Sequence, residues 1–394
     1  MSRQVRVSKS QNMTFAERLR LFGWPLFAIM CIILVLSVVT LYSAGTVPCA
    51  NASEPCEFFG AWRPYALSQL SKIGLGLILF FFVAFSDIKI WLKSSYAIYG
   101  AALVLVILVT FVGHTGMGAT RWLNLGFIHI QPSELIKIAL IMGLAQYFAW
   151  MNSTDLEKTK NYLIPMAMIA VPFLMIVAQP DLGTALSLLF IAAGFFFIVG
   201  MPRRLFIIGG VLATLALPVA WFGGLHDYQR ERILTFVSPG RDLQGSGYQI
   251  NQAKIAFGSG GVIGKGYLSG TQSHLKFLPE KHTDFIFTMF GEELGFIGGF
   301  VLILLYSIAT GIMFWYAKKM RNRFGQLLVF GFMLNFFVYY FINVAMVLGL
   351  MPTVGVPLPL MSFGGSSLLS LMFGFALVQN AHINRNQQLS AHGG

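Results

Sequence analysis

Long apolar stretches dominate the chain, and short polar segments separate them. A membrane-spanning helix needs about 18 or more consecutive apolar residues. Runs of that kind lie near 22–44, 67–85, 95–113, 133–151, 161–178, 182–200, 205–223, 284–317, 325–350 and 362–380. The pattern predicts ten spans. Nine is the alternative count, because Gln179-Pro180-Asp181 splits the short pair between 161 and 200.

Composition agrees with this pattern. The chain is 56% hydrophobic and 11% charged, with a mean hydropathy of +0.71, whereas soluble domains carry about 25% charged residues. We predict an all-α polytopic membrane protein with one membrane domain at 22–380, an N-terminal segment at 1–21 and a tail at 381–394. The first run is too long for a signal peptide and lacks a cleavage site, so we interpret it as a retained anchor.

Lysine and arginine predict the orientation. If the N-terminus lies inside, most of these residues lie in cytoplasmic segments, for example Arg18, Arg20, Lys318 and Lys319. The short outside loops then contain only Arg63 and Arg121. The positive-inside rule then puts both termini in the cytoplasm. The net charge of +12 indicates contact with anionic membrane lipids. It does not indicate nucleic-acid binding, because no basic stripe is interleaved with aromatic residues.

The largest predicted extracytoplasmic segment is the loop at 224–283, between the seventh and eighth spans. Loops of this length are usually functional or disordered, and its aliphatic and aromatic residues argue against disorder. We expect short helices that fold back over the outer face. A second outside loop contains Cys49 and Cys56, which an oxidising compartment would allow to form a disulfide.

Asp284 is the strongest candidate for chemistry, because it lies where the eighth span begins and follows the basic loop. A carboxylate held in an apolar wall suits a general base. The alternative is an interfacial charge that favours a helix N-terminus. Glu292 and Glu293 lie two to three turns deeper, so at least one should face the bundle interior.

Glu134 and Lys137 form a second candidate, because their i, i+3 spacing puts both on one face of the fourth span. They could form a buried ion pair or bind substrate by lining a polar cavity that substrate uses. Asp181 has the simpler interpretation of a helix cap. The Pro- and Gly-rich stretch at 349–367 is tolerated at membrane depth only where it is buried or lines a cavity. We therefore expect an outward-opening cavity formed by spans four, eight and ten, with the large loop as its lid.

The glycine-rich stretch "GSGGVIGKG" at 258–266 does not fit the nucleotide-binding pattern G-x-x-x-x-G-K-[ST]. We expect no nucleotide cofactor, and we interpret these glycines as allowing tight turns and close approach of a ligand backbone. The histidines do not show metal-ligand spacing.

Five stretches closely resemble the SEDS family of bacterial cell-wall polymerases: "RWLNLGFIHIQPSELIK", "QPDLGTAL", "IAFGSGGVIGKGYLSGTQSHLKFLPEKHTDFIF", "GEELGFIG" and "PTVGVPLPLMSFGGSS". The resemblance covers nearly the whole chain. Within the family, "GSGG…GKG…GTQS" resembles the elongation (RodA) type rather than the division (FtsW) type. The Cys49–Cys56 loop is not part of the family pattern.

The resemblance implies a ten-helix enzyme of the bacterial cytoplasmic membrane that polymerises lipid II into β-1,4 glycan, with its active site outside. It implies that Asp284 is the essential catalytic aspartate, and that Glu134 and Lys137 are the family's membrane Glu and Lys. Asp284 would deprotonate the acceptor hydroxyl, and polyprenyl diphosphate would leave with inversion. We expect positive charge for the diphosphate from substrate-binding residues Arg230, Lys254, Lys265 and Lys281, and from a divalent metal (Mg²⁺ or Mn²⁺) held with Asp284.

The implied partners are a class B penicillin-binding protein and the elongation machinery that includes MreB. Three alternatives stay open from the sequence: a lipid II flippase, a division-type polymerase, and a non-catalytic scaffold. A flippase is disfavoured because the chain lacks an inverted repeat, and because its polar chemistry gathers on one side of the membrane.

Overall fold

The structure is a computed structural model, and it describes residues 13–45, 65–116, 119–124, 129–238, 245–274 and 281–389. Its long helices are α2 (Trp24–Gly45), α3 (Ala66–Phe85), α4 (Ile88–Val112), α5 (Pro132–Phe148), α7 (Leu163–Ala178), α8 (Leu182–Val199), α9 (Arg203–Val219), α13 (Ile286–Lys319), α14 (Arg323–Val347) and α15 (Ser366–Ile383). The shorter helices are α1 (Phe15–Leu21), α6 (Ser153–Leu156), α10 (Asp227–Val237), α11 (Ser246–Ser259) and α12 (Thr271–His274).

All ten apolar runs correspond to helices, so the prediction of an all-α polytopic membrane protein is confirmed. In the described part of the chain, 9 helical segments are long and apolar enough to cross a membrane. The remaining apolar run forms α5, which has 17 residues and is buried along most of its length. The short pair at 161–200 forms two separate helices, and Asp181 is the N-cap of the second, as its interpretation as a capping residue requires.

A small antiparallel sheet lies between α4 and α5, and the apolar pattern did not predict it. Its strands are β1 (His114–Gly116), β2 (Ala119–Asn124) and β3 (His129–Ile130), in the order β1-β2-β3. The loop at 224–283 contains the expected short helices α10, α11 and α12, and α11 packs on α13 and α14. The Cys49–Cys56 pair lies outside the described residues.

The eighth apolar run is not one straight helix, because α13 is broken at Gly295, where φ is +69° and ψ is −167°. A straight helix of 34 residues would be about 51 Å long, well beyond a hydrocarbon core of about 30 Å. The part after the break, at 296–319, is about 36 Å long, which suits a tilted span. The part before it, at 286–294, is almost wholly buried.

The glycine-rich stretch at 261–266 satisfies the backbone groups that this break exposes. Lys265 N and Gly266 N donate to Glu292 O (3.1 Å) and Glu293 O (3.0 Å), and Phe296 N donates to Gly261 O (2.9 Å). A Cβ on Gly264 would overlap Glu293 O. The glycines allow close backbone approach, but the backbone they approach is that of α13 and not that of a ligand, as was predicted.

The segment at 349–365, between α14 and α15, is irregular, and its part at 358–362 is buried. Side chains of four helices satisfy its backbone carbonyls. Ser37 of α2 donates to Met361 O (2.7 Å), Gln69 of α3 to Ser362 O (3.3 Å) and Tyr306 of α13 to Pro359 O (2.5 Å). Asn343 of α14 donates to Val356 O (2.7 Å). This is the protein-buried environment in which non-helical backbone is stable at membrane depth.

Candidate active site

Asp284 is the last residue of a turn at 282–284. Each of the three backbone carbonyls of this turn accepts a hydrogen bond from another part of the chain. His282 O accepts from Phe363 N (2.9 Å), Thr283 O from Ser362 Oγ (2.7 Å), and Asp284 O from Asn343 Nδ2 (2.8 Å). The donors belong to α14 and to the irregular segment that follows it. The half-buried Asp284 is thus set in position before α13 begins at Ile286.

A cavity of about 870 Å³ opens beside this turn. His282 and Thr283 line it together with α3, the start of α15 and Trp122 of β2. None of the described residues that line it belongs to α5, so the expectation that the fourth span would form a wall does not hold for this cavity. The second span takes that place.

Lys72 of α3 is the cation in this cavity. Its Nζ lies 3.8 Å from the centre of the Phe363 ring, a cation–π distance. The ion pairs of the described residues do not include it. Tyr65 stacks on His282, a residue of the cavity wall, with ring centres 4.4 Å apart. The sequence analysis missed Lys72, although a lysine inside an apolar span is a signal of function by itself.

Glu134 and Lys137 form the buried ion pair that one interpretation predicted, with 2.7 Å between Lys137 Nζ and Glu134 Oε1. Tyr339 of α14 holds both: its hydroxyl donates to Glu134 Oε1 (3.3 Å), and Lys137 Nζ lies 3.6 Å from its ring centre. Asn343, which binds Asp284 O, lies one turn further along α14. The ion pair and the aspartate are therefore connected through one face of α14.

The residues at 349–356 lie next to Asp284 and next to the Lys254 side chain. A Cβ on Gly355 would lie 3.5 Å from Asp284 Oδ2, and one on Gly349 would overlap the Lys254 side chain. Arg232, which was not among the candidates, donates to Thr353 O (3.3 Å). The structure therefore brings Lys254 and Asp284 to one segment.

Three other predicted substrate-binding residues have contacts of a different kind. Lys265 donates to Glu292 (2.8 Å) and Thr271 (2.6 Å), and the buried Lys281 donates to Ser273 O (2.9 Å). Arg230 lies 3.8 Å from Asp227 within α10. These cations connect parts of the loop to one another, and Lys265 also connects the loop to α13. Their role in substrate binding stays a prediction.

Of the two deeper acids, Glu292 anchors the loop and Glu293 contacts α2. Glu292 is fully buried and accepts from Gln272 N (2.8 Å), Ser273 N (3.1 Å) and Ser273 Oγ (2.6 Å), as well as from Lys265. Glu293 is also buried and accepts from Ser43 of α2. Burial, with a smaller contribution from the Glu293 charge, raises the pKa of Tyr267 to about 12, so this loop tyrosine stays a donor to Val39 O (2.9 Å).

A nucleotide site at 258–266 does not fit this arrangement, because the N–H groups of Lys265 and Gly266 already donate to α13. Within the described ranges, no group of three or more His, Cys, Asp or Glu side chains is placed to hold a metal. Mg²⁺ often takes one or two carboxylates and completes its shell with substrate phosphates and water. A metal at Asp284 would need such a phosphate, and this stays a prediction.

Comparison with known proteins gives one consistent family. The family model of FtsW, RodA and SpoVE, described as "Cell cycle protein", matches residues 24–387. The peptidoglycan glycosyltransferase MrdB of Escherichia coli (strain K12) is 41% identical over 319 residues, covering 80% of this chain and 85% of the relative. MrdB of Helicobacter pylori (strain J99 / ATCC 700824) is 37% identical over 326 residues, covering 80% and 82%.

Solved structures share the fold. A chain from a peptidoglycan synthase complex that coordinates polymerization and crosslinking has a TM-score of 0.76 at 30% identity, over 93% of this chain and 99% of that one. RodA of Thermus thermophilus, a rod shape determining protein, has a TM-score of 0.67 at 28% identity, over 93% and 98%. The chain belongs to the FtsW/RodA/SpoVE (SEDS) family, and within it to the RodA type.

Proposed function

We propose that this chain is a peptidoglycan glycosyltransferase that polymerises lipid II during cell elongation, with Asp284 as its general base. The observation that carries the proposal is the fixed turn at 282–284 beside a large cavity that contains Lys72. The relatives named as peptidoglycan glycosyltransferases favour this enzyme over the flippase and the scaffold.

In the proposed reaction, the 4-hydroxyl of an acceptor sugar attacks the anomeric carbon of a lipid-linked donor. The new C–O bond forms as the bond to the diphosphate breaks, and the bonding electrons leave with polyprenyl diphosphate. Asp284 accepts the hydroxyl proton. Attack from the opposite face inverts an α-linked donor to a β-1,4 linkage. General-base assistance contributes about 10²–10⁴-fold to such a step.

The diphosphate needs fixed positive charge as it leaves. Lys72 supplies it in the cavity, and Lys254 supplies it at the segment next to Asp284. Lys265 and Lys281 contribute indirectly, because they hold the loop in place. Asp284 would hold a bound Mg²⁺ or Mn²⁺ ion, which would supply further positive charge for the leaving diphosphate.

The biological setting follows from the same proposal. The donor is a lipid, so the enzyme works in the bacterial inner membrane, with the Asp284 end outside as the positive-inside rule predicts. A chain with this fold belongs to a synthase complex that coordinates polymerization and crosslinking. We therefore infer a class B penicillin-binding partner, which crosslinks the new strands, within elongation machinery that includes MreB.

The test is glycan polymerisation from purified lipid II, with a partner whose transpeptidase is inactive. Asp284→Asn should lower the rate at least 100-fold while the protein stays folded. Lys72→Met should raise KM for lipid II and lower the rate, because the cavity loses its cation. Lys93→Met, on the exposed face of α4, is the matched control and should behave as wild type.

Equal products from wild type and Asp284→Asn would remove Asp284 from catalysis. Wild-type kinetics in Lys72→Met would exclude the cavity as the diphosphate site. If wild type with its partner forms no glycan, but moves lipid II across liposomes, the flippase is correct instead.

A further inference from the structure

A second cavity, of about 320 Å³, lies at the opposite end of the bundle from Asp284. Asp284 comes just before α13, whereas Arg321 and Arg323 of this cavity come just after α13 ends at Lys319. The remaining wall includes Trp150, Phe324 and Leu389. The cavity is therefore separate from the proposed active site by the whole length of α13.

The charge in this cavity is not balanced within the described part of the chain. The ion pairs described there include neither arginine, and from Leu294 to the C-terminus the sequence contains no aspartate or glutamate. Arg321 is exposed and Arg323 half-buried, so both guanidinium groups are accessible. Two forked donors beside each other suit a phosphate, which arginine binds in bidentate fashion.

The frame of the cavity is rigid. Arg321 N donates to Arg385 O (2.9 Å), and Asn322 Nδ2 donates to Asn384 O (3.3 Å). These bonds tie the α13–α14 turn to the segment that follows α15. Asn322 also caps α14 through Gly325 N (2.6 Å). The arginines are therefore presented by fixed backbone, with little ordering needed when a ligand binds.

The apolar side of the cavity indicates what kind of phosphate it takes. The exposed Trp150 and the partly buried Leu389 stand next to the arginines, at the end of spanning helices where tryptophan marks the membrane interface. Basic pockets between helices at this level suit phospholipid headgroups. We propose that Arg321 and Arg323 form a binding site for one anionic phospholipid, with the phosphate on the guanidinium groups and the acyl chains along Trp150 and Leu389.

The experiment uses the purified full-length protein in detergent and counts bound lipids by native mass spectrometry. The probes are phosphatidylglycerol and, as the neutral comparison, phosphatidylcholine. Wild type should bind one phosphatidylglycerol at least tenfold more tightly than phosphatidylcholine. Arg321→Gln/Arg323→Gln should lose this preference, and Arg321→Lys/Arg323→Lys should keep part of it, because lysine keeps the charge but not the fork.

The matched control is Arg203→Gln/Arg204→Gln, which removes the same charge from two exposed arginines at the start of α9 and should bind as wild type does. Equal loss in both double variants would show a general charge effect and overturn the site. Equal lipid binding by wild type and by Arg321→Gln/Arg323→Gln would also overturn it. Glycerol phosphate is the soluble probe: displacement of the lipid by an equal concentration of it would show a free-phosphate site instead.

Discussion

Replacing Asn343 with leucine tests whether α14 positions the catalytic aspartate. The Asn343 amide donates to Asp284 O (2.8 Å) and to Val356 O (2.7 Å), and the side chain is fully buried. Leucine has nearly the same shape and no donor. Each buried carbonyl left without a partner costs about 1–3 kcal/mol, so the native arrangement of the turn loses about 2 kcal/mol at least.

This loss of free energy in the turn should lower the rate of polymerisation. If the conformation that displaces Asp284 then lies about 2 kcal/mol below the native one, the active population is about 30-fold smaller. The expected result for Asn343→Leu is therefore a fall of about 30-fold in kcat, measured as the initial rate of glycan polymerisation at saturating lipid II. KM should change little, because Asn343 is not among the residues that line the cavity.

Asn335→Leu is the control, since Asn335 is buried on the same helix, two turns away, and its Oδ1 is without a hydrogen-bond partner. It should polymerise within about twofold of wild type. Wild-type kcat and Tm in Asn343→Leu would refute the positioning role. An equal loss in both variants would refute it too, because the cause would then be a polar residue missing anywhere in α14.

The two remaining predictions concern buried structure, and both are measured as Tm and folded yield in detergent. Glu134→Gln leaves Lys137 buried without its carboxylate and should destabilise the protein by about 3–5 kcal/mol. The double variant Glu134→Leu/Lys137→Met should recover most of this loss of stability. A wild-type Tm in Glu134→Gln would contradict the pairing. Gly264→Ala should reduce the folded yield strongly, because φ is +86° and a Cβ would overlap Glu293 O. Gly258→Ala, where a Cβ would meet nothing within 4 Å, should be neutral or slightly stabilising, and equal damage from both would exclude the contact as the cause.

The sequence predicted the spans well because each is encoded locally. A run of apolar residues must form a helix to satisfy its backbone in lipid, so ten runs became ten helices. The break in α13 could not be found in this way, because "GEELGFIGG" continues as an apolar run and glycine is common in membrane helices. The partners that stabilise the break at Gly295 come from residues 261–266, which are remote in sequence.

The sequence predicted the charged residues of the candidate site, but it did not predict the residues that line the cavity. Asp284, Glu134 and Lys137 were identified by charge in apolar surroundings, and the buried Glu134–Lys137 pair is confirmed. Lys72 and Trp122 were missed as cavity residues because they belong to α3 and β2. The tertiary packing of α3 against α15 brings Lys72 to the turn at 282–284.

The acids near the start of α13 divide into two physical roles, and the division explains why so many lie there. Glu292 and Glu293 are buried, and each accepts hydrogen bonds from another part of the chain. Because both side chains are buried, substrate cannot reach them in this fold. Asp284 is half-buried at the edge of this group, where substrate can reach it. Glu292 holds the loop to α13. The site around Asp284 therefore does not have to assemble again at each turnover.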